Sequence, residues 1–147
     1  MDELTSREAR DWAELRAAVD RLASEQLSTG AVNEDGWTTK DVLWHIAHWW
    51  DHLAGMLDAM GAGTFEEPPE DDAATDAENA VVLAESRGMD LRAVEDGIAA
   101  TRERLLSAWA ALPELTGPAE RWFVWETIEH YEEHLPGISA LEGGDAP

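Results

Sequence analysis

Three histidines in this 147-residue chain have the type and spacing to hold a metal ion. His130 and His134 stand four residues apart, so a helix would set their imidazoles one above the other on a single face. A third imidazole, from His45 on another helix, would complete the three-nitrogen set that a catalytic zinc- or nickel-type site takes from protein while leaving one position open. The sequence has no cysteine, so a thiolate ligand, a disulfide and a cysteine nucleophile are all excluded, and any metal must be held by nitrogen and oxygen. The same residues admit a plain structural reading. An i, i+4 histidine pair arises by chance, and a core histidine bonded to a backbone carbonyl is common.

The charge limits the partners. With 32 acidic and 10 basic residues the formal net charge is −22, which repels phosphate backbones and anionic lipid; neither nucleic acid nor membrane is an expected partner. Solubility explains such a surface, and a salt-adapted proteome is one form of that, since Lys40 is the only lysine among the basic residues. Steering of a cationic substrate is the functional alternative. No apolar run approaches the ~18 residues of a membrane span, and Met1-Asp2-Glu3 is acidic where a signal peptide is basic. A cytoplasmic protein is expected, with residues 1–147 forming one domain.

The elements that must position the histidines read as helices throughout. Thr5 and Glu8 have capping-box spacing and predict the start of a first helix, with Trp12, Leu15, Val19 and Leu22 inward. A second helix follows Gly36-Trp37-Thr38-Thr39, capped by Thr38 and carrying Val42, Ile46, Trp49, Leu53, Met56 and Met60 on its core face until Gly61-Ala62-Gly63. An acidic loop over 61–75 and a short helical piece over 78–85 lead to a third helix from Asp90 to Pro113. A fourth begins at Pro118 and runs to about Leu141, ahead of a frayed 142–147 tail. Short links make helices 1 and 2, and 3 and 4, antiparallel neighbours, whereas the 2–3 link is long enough to cross the molecule. The expected fold is an all-α four-helix bundle in up-down-down-up order, an order that brings His45 and His134 to one end.

At about 100° per residue, His45 flanks the apolar stripe of its helix, His52 lies further round, and His48 is nearly opposite, on the solvated side. On the last helix, Phe123, Val124, Thr127, Tyr131, Leu135 and Ile138 define the buried face, with His134 inside it and His130 at its edge. Glu126, Glu129 and Glu133 read as a solvated face. Trp12, Trp49 and Trp109 read as core. Trp44, Trp50, Trp122 and Trp125 are less well placed for it, and exposed aromatics would line a pocket mouth or a homodimer face. Trp44, Trp49, Trp125 and Tyr131 are the pocket candidates, and Pro136-Gly137 should distort the end of the last helix.

Two segments carry a family resemblance. Gly36-Trp37-Thr38-Thr39-Lys40-Asp41-Val42-Leu43-Trp44-His45 resembles the helix-2 signature of the DinB/YfiT-like superfamily, and Glu126 to His134 is similar to its C-terminal His-x3-His helix. Asn79 and Arg87-Gly88-Met89 are similar to the branch that includes the DfsB-like proteins and the colibactin self-protection protein. The resemblance implies an up-down-down-up bundle and implies that His45, His130 and His134 match the family's ligands for zinc or nickel. It further implies either thiol-dependent transfer, with a low-molecular-weight thiol as co-substrate, or hydrolytic opening of a strained electrophile. The leading expectation is thus a metal-dependent hydrolase or thiol transferase that detoxifies a small electrophilic or cationic molecule, including self-resistance to a reactive natural product, with His52 as an outer proton carrier. The alternatives are a non-catalytic binding protein that sequesters a small molecule, and a dimerising interaction module whose histidines are structural.

Overall fold

The computed structural model describes residues 1–143, and these are helical apart from turns, loops and one isolated antiparallel bridge between Ala31 and Thr38. Helices α1 (Asp2–Asp20) and α2 (Ser24–Thr29) are followed by the long α3 (Thr39–Ala62). The crossover carries α4 (Asp72–Arg87), and α5 (Leu91–Ala110) follows. The last rod is built in three pieces: α6 (Gly117–Val124), a π-helical turn over Trp125–Glu129, and α7 (His130–Gly143). Of the frayed tail expected at 142–147, residues 144–147 lie outside the described residues. No described helix is long and apolar enough to cross a membrane.

Helix α3 positions most of the chemistry, and its start is fixed twice. Thr38 Oγ1 accepts from the Asp41 amide at 3.2 Å while Asp41 Oδ2 accepts from the Thr38 amide at 2.9 Å, a reciprocal cap that satisfies two donors with no intrahelical partner. The buried Asp41 also accepts from Ser86 Oγ at 2.6 Å, and Lys40 Nζ donates to the Met89 carbonyl at 2.6 Å. The end of α4 and the Arg87-Gly88-Met89 turn are thereby tied to the start of α3. Gly63, at φ 74°, ends α3 in the left-handed conformation that glycine adopts without a Cβ clash.

The core runs along α3 and α5 and is closed by α1 and the last rod. Leu15, Val19, Leu43, Ile46, Trp50, Leu53, Val94, Leu105, Phe123 and Ile138 are fully buried. Trp12 packs edge-on to Trp50 at 5.0 Å, and Trp109 stacks on Phe123 at 3.8 Å. A buried polar knot crosses this core. Glu8 accepts two bonds from Arg102 Nη2, at 2.7 and 3.0 Å, and one from Tyr131 Oη at 2.7 Å. It joins α1, α5 and α7 and fixes the residue next to His130.

Several sequence expectations are corrected. The first helix opens at Asp2, not Thr5; Thr5 is already helical, with Oγ1 bonded to the Met1 carbonyl and accepting from Trp109 Nε1 at 2.8 Å. Glu8 serves the buried knot instead of a cap. The crossover helix starts at Asp72, inside the stretch read as loop, because Asp71 caps it by accepting from the Ala74 amide. Trp50, not Trp49, fills the core: α3 is covered on several sides, so its buried arc is wider than a single stripe and takes in Leu43, Ala47, Trp50 and Ala54 beside Ile46 and Leu53. Pro136 sits within α7 without ending it. Gly137 answers to packing, since a Cβ there would come within 2.5 Å of the Val32 carbonyl oxygen.

Candidate metal centre

His45 lies in the second turn of the doubly fixed α3, His130 opens α7 and His134 follows one turn on. Their side chains meet. His45 Nε2 is 3.0 Å from His130 Nε2, and the ring centroids are 4.9 Å (45–130), 5.3 Å (45–134) and 4.7 Å (130–134) apart. One ring nitrogen from each falls within 4.8 Å of the other two. His45 and His130 are buried and His134 half-buried, with Trp37 edge-on to His45 at 5.3 Å.

Burial keeps these imidazoles neutral. It pushes His45 down to about 3, with the neighbouring His134 and His48 adding repulsion, and drives His130 well below its ordinary value, assisted by His134 and His45. His134 is lowered too, by the same loss of water, against the opposing pull of Glu133. His45 Nδ1, His130 Nδ1 and His134 Nε2 are shielded from solvent and have no hydrogen-bond partner. Neutral imidazole nitrogens brought together, with His45 Nε2 and His130 Nε2 facing each other and His134 beside them, are the donor set that a borderline divalent cation takes, so the residues present fit a metal ion.

The π-helical turn that precedes His130 changes what surrounds it. A π turn closes i to i+5 and adds one residue to the rod, which rotates the chain by roughly 100° relative to an uninterrupted helix. Thr127 and Ile128 are consequently both buried, and Glu126, read from sequence as solvated, is folded in with only 12% of its side chain exposed. Its Oε2 lies 4.0 Å from His130 Nδ1, the side of the ring facing away from His45. Burial, with Glu133 nearby, raises Glu126 to about 7. Carboxylate, imidazole and ligand position thus stand in the order found around metal-bound histidines, where an outer carboxylate orients the ring.

The sequence profile of the DinB superfamily matches residues 9–135, a span that includes all three histidines, Glu126 and both segments of the resemblance. The chain belongs to the DinB superfamily. Comparison with curated proteins and with solved structures gave no match.

The remaining candidates of this DinB-superfamily chain are placed differently from expectation. His52, expected as an outer proton carrier, points to the crossover helix, where its Nε2 is 2.9 Å from Glu78 Oε1. His48, expected in solvent, is half-buried beside it, its Nε2 3.1 Å from the same oxygen. Both follow from the docking of α4 over α3, which helix periodicity cannot report. Tyr131 is a core residue bonded to Glu8, not a pocket residue. Trp125 is 51% exposed and stacks on Trp122 at 5.2 Å. Trp44 lies against Gly97, where a Cβ would meet its ring at 2.6 Å, and donates to Glu85. Trp49 approaches His45 at 6.5 Å and donates to Asn79 Oδ1 at 2.9 Å. Trp37, closer to His45, was missed as a neighbour of the centre. A groove of about 370 Å³ between α1 and α5, lined by Trp12, Arg16, Ile98 and Arg102 among others, has no histidine in its wall.

Proposed function

We propose that this DinB-superfamily protein is a metal-dependent enzyme that inactivates a small electrophile, by water or by a thiol, in the manner of a detoxifying or self-resistance protein of the DfsB-like and colibactin self-protection branch. The observation that carries the proposal is the convergence of His45, His130 and His134, one ring nitrogen of each within 4.8 Å of the other two, with the His45 and His130 Nε2 atoms turned to each other at 3.0 Å. A zinc or nickel ion held by these three residues would supply Lewis acidity, making a water or thiol a better nucleophile near neutral pH.

The chain's own groups have defined parts in this reading. The Glu126 carboxylate stands 4.0 Å from His130 Nδ1, beyond direct hydrogen-bonding distance, and would draw that side of the ring outward so that Nε2 aims inward; it is a positioning residue. Trp37 and Trp49 flank His45 and limit solvent there. The charged neighbours of the histidines are the carboxylates Glu126 and Glu133, a poor setting for an anionic thiol, so water is the favoured nucleophile and a cationic or neutral electrophile the favoured substrate. The up-down-down-up order belongs to the same proposal. It is supported by α3 and α5 advancing together, from Lys40–Met89 to Asp51–Arg104, and by α1 and α7 advancing together, from Arg7–Glu132 to Arg21–Glu142. A cytoplasmic homodimer completes the reading, with exposed Trp125 as the surface it would use.

The test uses untagged protein and its His134→Ala variant, with metal content by elemental analysis and turnover of styrene oxide with and without glutathione. The expected result is stoichiometric metal and ring opening in the parent, with loss of metal from the three-histidine centre and loss of turnover in the variant. Capture of the epoxide without turnover would favour sequestration, and unchanged metal content in the variant would remove the proposal.

A further inference from the structure

A second group of ligating side chains stands on the same α3 helix, outside the three-histidine centre. His48 and His52 are an i, i+4 pair whose rings are 4.9 Å apart, and Glu78 of α4 reaches over them. Both Nε2 atoms converge on one carboxylate oxygen, Glu78 Oε1, at 3.1 and 2.9 Å. That oxygen makes a well-aligned bond to His52 only. His48 Nε2 is shielded from solvent and has no partner in hydrogen-bonding geometry. A carboxylate oxygen and two imidazole nitrogens gathered within 4.8 Å, one of them unsatisfied, form a two-nitrogen, one-oxygen donor set.

The scaffold around the group is rigid. Trp49 Nε1 donates to Asn79 Oδ1 at 2.9 Å and Trp44 Nε1 to Glu85 Oε2 at 3.2 Å, so α4 is held to α3 close to Glu78 and two turns beyond it. Trp49 packs against both rings, at 5.2 Å from His48 and 5.1 Å from His52. Burial, the largest single influence on Glu78, raises its carboxyl, but His48 and His52 together outweigh it and hold the group below the usual range. The net charge of −22 raises the local concentration of any cation.

We propose that His48, His52 and Glu78 form a second divalent-metal site, selective for a zinc-type borderline cation, which staples the crossover helix α4 to α3. Two imidazoles and one carboxylate suit zinc better than calcium or magnesium, which prefer all-oxygen sets. The half-exposed site leaves its remaining positions to water. Binding there tightens the contact between α4 and the helix that carries His45, and does not depend on occupancy of the three-histidine centre.

The experiment titrates zinc by calorimetry into chelator-stripped, untagged protein: the parent, His52→Ala, Glu78→Gln, His134→Ala and the double variant of His52 and His134. Circular dichroism checks folding, and the two positions mutated in α3 and α4 are exposed enough to tolerate change. The parent should bind two equivalents, His52→Ala and His134→Ala one each, and the double variant none. Glu78→Gln should weaken the peripheral equivalent by more than the roughly 10–100-fold that loss of an outer-shell partner costs. Zinc should also slow amide exchange over residues 72–87 in the parent and in His134→Ala, but not in His52→Ala. A zinc isotherm unchanged by His52→Ala and Glu78→Gln would overturn the site, and zinc binding without slower exchange in α4 would overturn the staple. If the three-histidine reading alone were wrong, the parent would bind one equivalent, lost in His52→Ala and kept in His134→Ala.

Discussion

Helix α3 carries two histidine groups one turn apart that meet opposite environments. His45 faces inward and joins His130 and His134 with no carboxylate in the set, whereas His48 and His52 face the crossover helix and share Glu78. At the inner group loss of water dominates: His45 is held down to about 3, and its carboxylate neighbour Glu126 is held up to about 7. At the outer group a carboxylate sits directly on the rings and is itself held low. The same residue type on one helix therefore gives a preorganised neutral nitrogen set on one side and a charge-complemented, solvent-accessible set on the other. Burial, not spacing, separates them.

Acidification should sharpen that contrast most. In metal-free protein the unfolded chain protonates its histidines below about 6.5, whereas folded His45 resists until about 3. Folding stability is therefore lost as pH falls through that window, at roughly 1.4 kcal/mol per pH unit for each histidine that stays neutral. His130 and His134 are lowered as well and act with the same sign. Glu126 has the opposite sign. Raised from 4.5 to about 7, it binds a proton in the folded state between those values and offsets one histidine there, but nothing below 4.5. Melting temperature in chelator should fall from pH 7 to 5 and more steeply below 4.5. A flat profile would show that the inner histidines are not desolvated.

The next largest effect concerns the support of His130. Glu8→Ala leaves Arg102 and the Tyr131 hydroxyl without their buried partner and should cost ~3–5 kcal/mol in denaturant unfolding. It should weaken metal binding at the inner group and spare the outer one. Equal weakening of both would mean that the two groups are not independently held. Glu126→Gln should lower inner-site zinc affinity by about 10–100-fold, read by chelator competition, through loss of the negative charge beside His130 Nδ1. Thr38→Ala, which opens the cap before His45, should cost about 1 kcal/mol and should perturb His45 before it reaches His52. Chemical shifts of the histidine rings would show that gradient.

Much of this was legible in the sequence, and the failures have common causes. The helices, the Thr38 cap, the long crossover and the proximity of His130 to His134 follow from local spacing, which fixes what one element does by itself. The helical wheel places Glu126 in solvent, His130 at the edge of the buried face and His134 inside it, whereas the π-helical turn breaks the 100° periodicity and the structure buries Glu126 and His130 and leaves His134 half-buried. His48 and His52 were misjudged because their partner lies on α4, and no pattern within α3 states where another helix docks. Trp49 and Trp50 were exchanged since α3 is covered from several sides, which blurs a single apolar stripe. For the α3 residues the missing information was a relation between elements, and for Glu126 it was a local change of helical pitch.

The central claim is that three imidazoles enclose one ion. The most direct measurement is an anomalous difference map from crystals of untagged protein soaked in zinc and recorded at the zinc edge. The account predicts a peak at ~2.0–2.1 Å from one nitrogen each of His45, His130 and His134. A map with no density there, and with His45 and His130 still paired nitrogen to nitrogen at 3.0 Å, would contradict it.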